Sequence, residues 1–272
     1  MNKTISYRSG QLLRGLYKNS LSYFSTQDAM GILDQSKEPA IRKLLSNMVK
    51  RGLILRIQDG LFNIIPYERE VDEYFPNWHE VAEHLVYPER YYIGFYSALD
   101  IYGLITQPSL VEHVVTQKQF FPSSRNIKDV KYQFITYNEK RFFGYENIWI
   151  NNYSKVYCSD IEKTIIDSLY LPKYANGISE IIKVLDQVKS KLDIDKMKEY
   201  LERFQVDAVN KRLGYIIESL GILGPLVTYL KKQLSNSYIP LDPSMPKGGS
   251  YLSSWKIIDN INIQSSIKQI LN

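Results

Sequence analysis

Apolar side chains recur at helical spacing three times in the first fifty residues, and two short apolar runs follow. Leu12, Leu13, Leu16 and Tyr17 share one face, which predicts an amphipathic helix over residues 9–18. A second helix is expected from Ser25, whose hydroxyl can cap free backbone N–H groups. Asp28 then sits in its electropositive first turn, with Ala29, Ile32 and Leu33 turned inward. Asp34, Gln35 and Ser36 make a tight turn, Ser36 is expected to cap a third helix, and Pro39 is tolerated in that helix's first turn. There Ile41, Leu44, Leu45, Met48 and Val49 fall at i, i+3, i+4, i+7 and i+8, one buried stripe. Arg42, Lys43, Ser46, Asn47 and Lys50 therefore face outward together. Gly52 ends the helix as a left-handed cap, and Asp59-Gly60 between the runs 53–57 and 61–65 marks a β-hairpin.

Residues 66–90 break this pattern. Seven acids stand there against Arg69 and Arg90, with Pro66, Pro76 and Pro88 between them, so an acidic linker carrying a short helix is expected over 67–90. Beyond it a short helix over 96–102 stops at Gly103, and β-rich runs lie at 111–116, 130–136 and 148–150. Ser159 and Glu162 have the spacing of a capping box, and helices are expected at 160–170, 178–191, 194–204, 206–220 and 224–234. A Pro- and Gly-rich tail carries one apolar strand near 255–258. The fold class expected is α+β: an N-terminal winged helix-turn-helix over 1–66, then a mixed α/β, helix-rich C-terminal domain over 91–272.

Charge sharpens the first of these domains. Residues 1–65 hold ten Lys or Arg against four acids, a net +6, whereas the 272-residue chain as a whole carries +5. A module for a polyanion is thus concentrated at one end. A duplex major groove accepts one α-helix, whose side chains read base edges while cations hold phosphates. Lys37, Ala40, Arg42 and Lys43 are the candidates near base edges, and Asn47 is placed for a base or a phosphate. Ser36 stands at the helix start, Thr26 and Gln27 are placed for backbone contacts at the second helix, and Arg56 and Gln58 belong to the wing. Double-stranded DNA is the expected partner, and a protein-contact surface is the alternative use of the same charges.

Little points to chemistry. Cys158 is the single cysteine and reads as a buried structural thiol. His79 and His84 stand five apart, off the spacing that puts two ligands on one helix face, so no metal is expected, and no cofactor. No phosphate-cradling glycine loop or nucleophile elbow occurs, which argues against an enzyme. Ser97, Glu162, Lys163 and Asp167 read as structural, the last two as an i,i+4 ion pair. Apolar runs are too short for a membrane span and no signal peptide opens the chain, so a cytoplasmic protein is expected.

Several phrases, in order, resemble the AbiEi family of antitoxins and transcriptional regulators from AbiE-type toxin–antitoxin systems. They are Phe24-Ser25-Thr26, then Val49-Lys50-Arg51-Gly52-Leu53-Ile54 leading into Gly60-Leu61-Phe62, and Tyr92-Ile93-Gly94-Phe95-Tyr96-Ser97-Ala98-Leu99 with Tyr102-Gly103-Leu104. Ser159-Asp160-Ile161-Glu162-Lys163-Thr164-Ile165-Ile166-Asp167, Pro172-Lys173-Tyr174-Ala175-Asn176-Gly177, and Pro240-Leu241-Asp242-Pro243 with Trp255 complete the set. The resemblance implies a winged helix that represses its own operon at inverted repeats; a homodimer on DNA is expected only because winged-helix regulators read two half-sites. It also implies a C-terminal domain that neutralises a nucleotidyltransferase-like toxin. The alternative is a free-standing winged-helix regulator with a ligand-sensing or protein-interaction C-terminal domain.

Overall fold

A computed structural model of the chain describes residues 3–34, 37–246 and 248–271. The chain divides into two compact units, Met1–Tyr87 and Pro88–Asn272. The segment expected as an acidic linker up to residue 90 therefore belongs to the first unit as far as Tyr87.

The first unit runs α1 (Tyr7–Lys18), β1 (Tyr23–Ser25), α2 (Thr26–Ile32), α3 (Glu38–Lys50), β2 (Ile54–Gln58), β3 (Leu61–Ile64) and α4 (Trp78–Val86). The strands form an antiparallel sheet in the order β1-β3-β2, with Phe24 opposite Phe62 and Leu55 opposite Asn63. A bulge between Arg56 and Gln58 leads into the turn, where Gly60 takes φ +75°, a left-handed conformation that a side chain would strain. Leu12, Leu16, Phe24, Ala29, Ile41, Leu45, Met48 and Phe62 make one buried cluster. Each large side chain in it contributes about 1.5–3 kcal/mol relative to exposure.

The local causes are legible. Ser25 and Asp28 close a reciprocal capping box on α2, with Asp28 N donating to Ser25 Oγ at 3.1 Å and Ser25 N donating to Asp28 Oδ2 at 2.6 Å. The expected cap of α3, Ser36, lies outside the described residues. Lys37 occupies the N-cap position and makes no side-chain cap bond, with Pro39 in the first turn as expected. Helix α4 is capped by Asn77, and its His84 ring stacks on Tyr23 at 4.0 Å, so Val81, Ala82, Leu85 and Val86 are buried. That packing covers the apolar face of the short helix expected within the acidic segment.

The second unit contains β4 (Tyr91–Ile93), α5 (Phe95–Ile101), β5 (Val111–Thr116), β6 (Ser124–Ile127), β7 (Val130–Thr136), β8 (Tyr145–Trp149) and β9 (Lys155–Ser159). It continues through α6 (Ile161–Tyr170), α7 (Ile178–Val188), α8 (Ile194–Phe204), α9 (Asp207–Ser219), α10 (Gly224–Lys231), β10 (Ile239–Pro240), β11 (Ser250–Leu252), β12 (Ile257–Asp259) and α11 (Ile263–Leu271). Six strands form one mixed sheet in the order β6-β7-β5-β4-β9-β8, in which β5 and β7 run parallel. A second small sheet has the order β10-β12-β11. The protein is thus a mixed helix-and-sheet fold, as the α+β class requires.

Helix α6 is the hub of the second unit, packing against α5, α7, α8 and α9, and every residue from Glu162 to Leu169 is buried. The expected Ser159–Glu162 capping box does not form. Strand β9 extends through Ser159, so the cap shifts to Asp160, whose Oδ1 accepts from Lys163 N at 2.8 Å. Glu162 instead accepts from Asp193 N at 3.0 Å and pairs with Lys196. Among the described residues no helix is long and apolar enough to cross a membrane.

Candidate nucleic-acid interface

The exposed side of α3 follows from its stripe. With Ile41, Leu45 and Met48 fully buried, Arg42, Lys43, Ser46, Asn47 and Lys50 all lie on the surface, and Lys37 and Ala40 are exposed at the helix start. Two rows are present on that surface. Arg42, Ser46 and Lys50 follow at i, i+4 and i+8, and Ala40, Lys43 and Asn47 at i, i+3 and i+7, roughly a quarter-turn away.

The first row borders a groove of about 300 Å³ whose opposite wall is the β2–β3 hairpin, with Arg56, Asp59 and Gly60. Leu45, Val49 and Phe62 line the same groove. Both arginines at its margin hold a carboxylate. Arg42 Nε donates to Glu38 Oε1 at 2.8 Å, which raises the guanidinium's already high pKa, and Arg56 pairs with Asp59 across the hairpin turn. All four side chains are more than half exposed, so these pairs bind loosely and exchange readily for another anion.

The remaining expected residues divide. Gln27 is exposed in the first turn of α2, and Gln58 is half-buried at the end of β2. Thr26 is buried, and its N–H donates to Gly60 O at 3.0 Å, so the hairpin turn has taken the backbone donor expected to meet a phosphate. The Thr26 N–H is therefore not free for a phosphate, although Thr26 still lines the groove beside Gly60, and Ser36 lies outside the described residues. Two groove residues, Ser46 and Lys50, are outward-facing in the sequence pattern without being marked as part of the site by it. Only the approach of the hairpin reveals them.

The polar residues singled out in the second unit, Ser97, Glu162, Lys163 and Asp167, are all buried. Lys163 and Asp167 are fully buried and paired, Tyr92 O–H donates to Asp167 Oδ2 at 2.9 Å, and Lys163 Nζ donates to Tyr92 Oη at 3.0 Å. The rings of Tyr92, Tyr137, Phe143 and Phe204 surround the ammonium at 5.0–5.4 Å. Burial pushes the Lys163 pKa down and that of Asp167 up, while each draws the other back toward its charged form. Burial likewise pushes the Cys158 thiol well up. Ser97, on α5, accepts from His113 N at 2.8 Å, and burial lowers the His113 imidazole to about 4. A shallow cleft of about 280 Å³ reaches His113 between Tyr96, Lys173 and Tyr174.

The chain matches no protein-family profile and no curated protein. Among solved structures it is similar to the Rv2827c protein from Mycobacterium tuberculosis, at a TM-score of 0.70 and 12% identity, over 99% of this chain and 96% of that one. At that identity the likeness is one of fold.

Proposed function

We propose that the first unit is a winged helix-turn-helix that binds double-stranded DNA, with α3 entering the major groove and the β2–β3 hairpin serving as the wing. The observation that carries this reading is the exposed face of α3, where Arg42 and Lys50 face a hairpin bearing Arg56 while Lys43 and Asn47 are exposed a quarter-turn away. A duplex offers phosphates for the cations and base edges for the amide. The concentration of positive charge in residues 1–65 supports it further, since a solvated face that met no polyanion would need no such segregation.

The resemblance of the ordered phrases to AbiEi proteins extends the proposal. The chain represses its own operon at inverted repeats, and its second unit counteracts a nucleotidyltransferase-like toxin. A reporter fused to the DNA upstream of the coding region tests the first half: expression falls when the chain is supplied and recovers with Lys43→Ala/Asn47→Ala. Unchanged expression with the native chain removes the repressor reading. The cleft at His113 favours one other role for the second unit, small-ligand sensing. A melting temperature that no metabolite raises counts against that role.

A further inference from the structure

The two rows on α3 differ in chemistry as well as direction. Arg42, Ser46 and Lys50 lie along the edge that faces the hairpin, and Arg56 approaches the same groove from the opposite wall. These are residue types that hold phosphate oxygens, through charge and hydroxyl donors. Ala40, Lys43 and Asn47, away from the groove, offer a methyl, an ammonium and an amide. Those are the groups that meet a thymine methyl, a guanine edge and an adenine edge.

Both arginines of the groove already engage a carboxylate. The Asp59 carboxylate, on its wall, already engages Arg56, and Glu38 engages Arg42 at its margin. Between the cations the groove is lined by Leu45, Val49 and Phe62, an apolar surface suited to the face of a deoxyribose.

We infer that the groove between α3 and the β2–β3 hairpin seats the sugar-phosphate backbone of one DNA strand. Arg42, Lys50 and Arg56 clamp the phosphodiester there, while Ala40, Lys43 and Asn47 read the bases. This rests on the DNA-binding reading above and deepens it, moving Arg42 from base reader to phosphate clamp. Asp59 and Glu38 act as internal stand-ins for phosphate that the strand displaces, and so set affinity without setting sequence preference.

The test is fluorescence anisotropy of the full chain against a duplex from upstream of its coding region and a scrambled duplex of equal length and composition, over a salt series. Circular dichroism establishes that each surface variant is folded. Arg42→Gln, Lys50→Gln and Arg56→Gln are each expected to weaken binding to both duplexes by the same factor. Each also lowers the slope of log affinity on log salt by about one. Lys43→Ala and Asn47→Ala instead cut the preference for the upstream duplex by about fivefold or more. Asp59→Asn, which keeps a turn-compatible Asn-Gly pair, strengthens binding to both by about two- to fivefold.

If Arg42→Gln or Arg56→Gln abolishes the preference at an unchanged salt slope, or if the clamp variants leave affinity untouched, the seat is wrong while DNA binding stands. Equal binding of the native chain to both duplexes overturns the base-reading half of the assignment, and the salt slopes then decide the clamp alone. Absence of binding to either duplex overturns the DNA reading and the seat together.

Discussion

Lys163 and Asp167 sit one helical turn apart with no solvent contact, ringed by aromatic side chains. Removing one charge leaves the other buried and unpaired, which costs more than the pair itself contributes. Lys163→Met is therefore expected to lower stability by about 3–5 kcal/mol in urea denaturation. Lys163→Met/Asp167→Asn recovers more than half of that, since the amide still accepts from Tyr92. A double variant no more stable than the single one contradicts the pairing account. At His113 the consequence is a pH dependence. Its folded pKa lies near 4 against an ordinary value of 6.5, so between those values the unfolded chain binds a proton that the folded chain does not. Stability is unaffected above that window and falls as pH drops through it, by about 3 kcal/mol in full. Chemical denaturation at pH 7 and pH 4.5 checks this: His113→Gln has the shallower acid loss, and equal losses remove His113 as the cause.

At the level of elements, close approach decides what propensity alone would misjudge. A Cβ on Gly214 of α9 would lie 2.0 Å from the Trp255 ring, whose Nε1 is anchored on Glu218. Alanine is the better helix former by about 1 kcal/mol, yet Gly214→Ala is expected to lower the denaturation midpoint, because overpacking costs about 1–3 kcal/mol. A raised midpoint would show that the ring moves aside freely. The same contrast between local and tertiary causes explains what was legible in the sequence. The α3 stripe and the hairpin turn were readable because periodicity and Asp-Gly chemistry are local. Strand β4 is not legible in the sequence: Tyr91, Tyr92 and Ile93 are all buried, and a run without alternation does not announce a strand. The cap at Asp160 in place of Ser159 depends on how far β9 pairs. The engagement of the Thr26 N–H depends on the bond it donates to Gly60 O, in a turn 34 residues away.

Over the whole molecule, the balance of charge was the most legible functional feature, and the groove the least. Lys50 and Arg56 are six residues apart, and nothing in their spacing says that a helix and a hairpin bring them to one groove. The fold is shared over nearly its full length with the Rv2827c protein at 12% identity, so the architecture tolerates almost complete exchange of side chains. The proposed DNA-binding face lies in the part of the chain where the positive charge is gathered. The most direct test of that proposal is equilibrium binding of the full chain to the duplex upstream of its coding region and to its scrambled counterpart, measured from low to physiological salt. Preference for the upstream duplex is expected, with affinity for both falling steeply as salt rises because neutralised phosphates release counterions. Absence of binding at low salt, or binding indifferent to salt, would contradict the proposal.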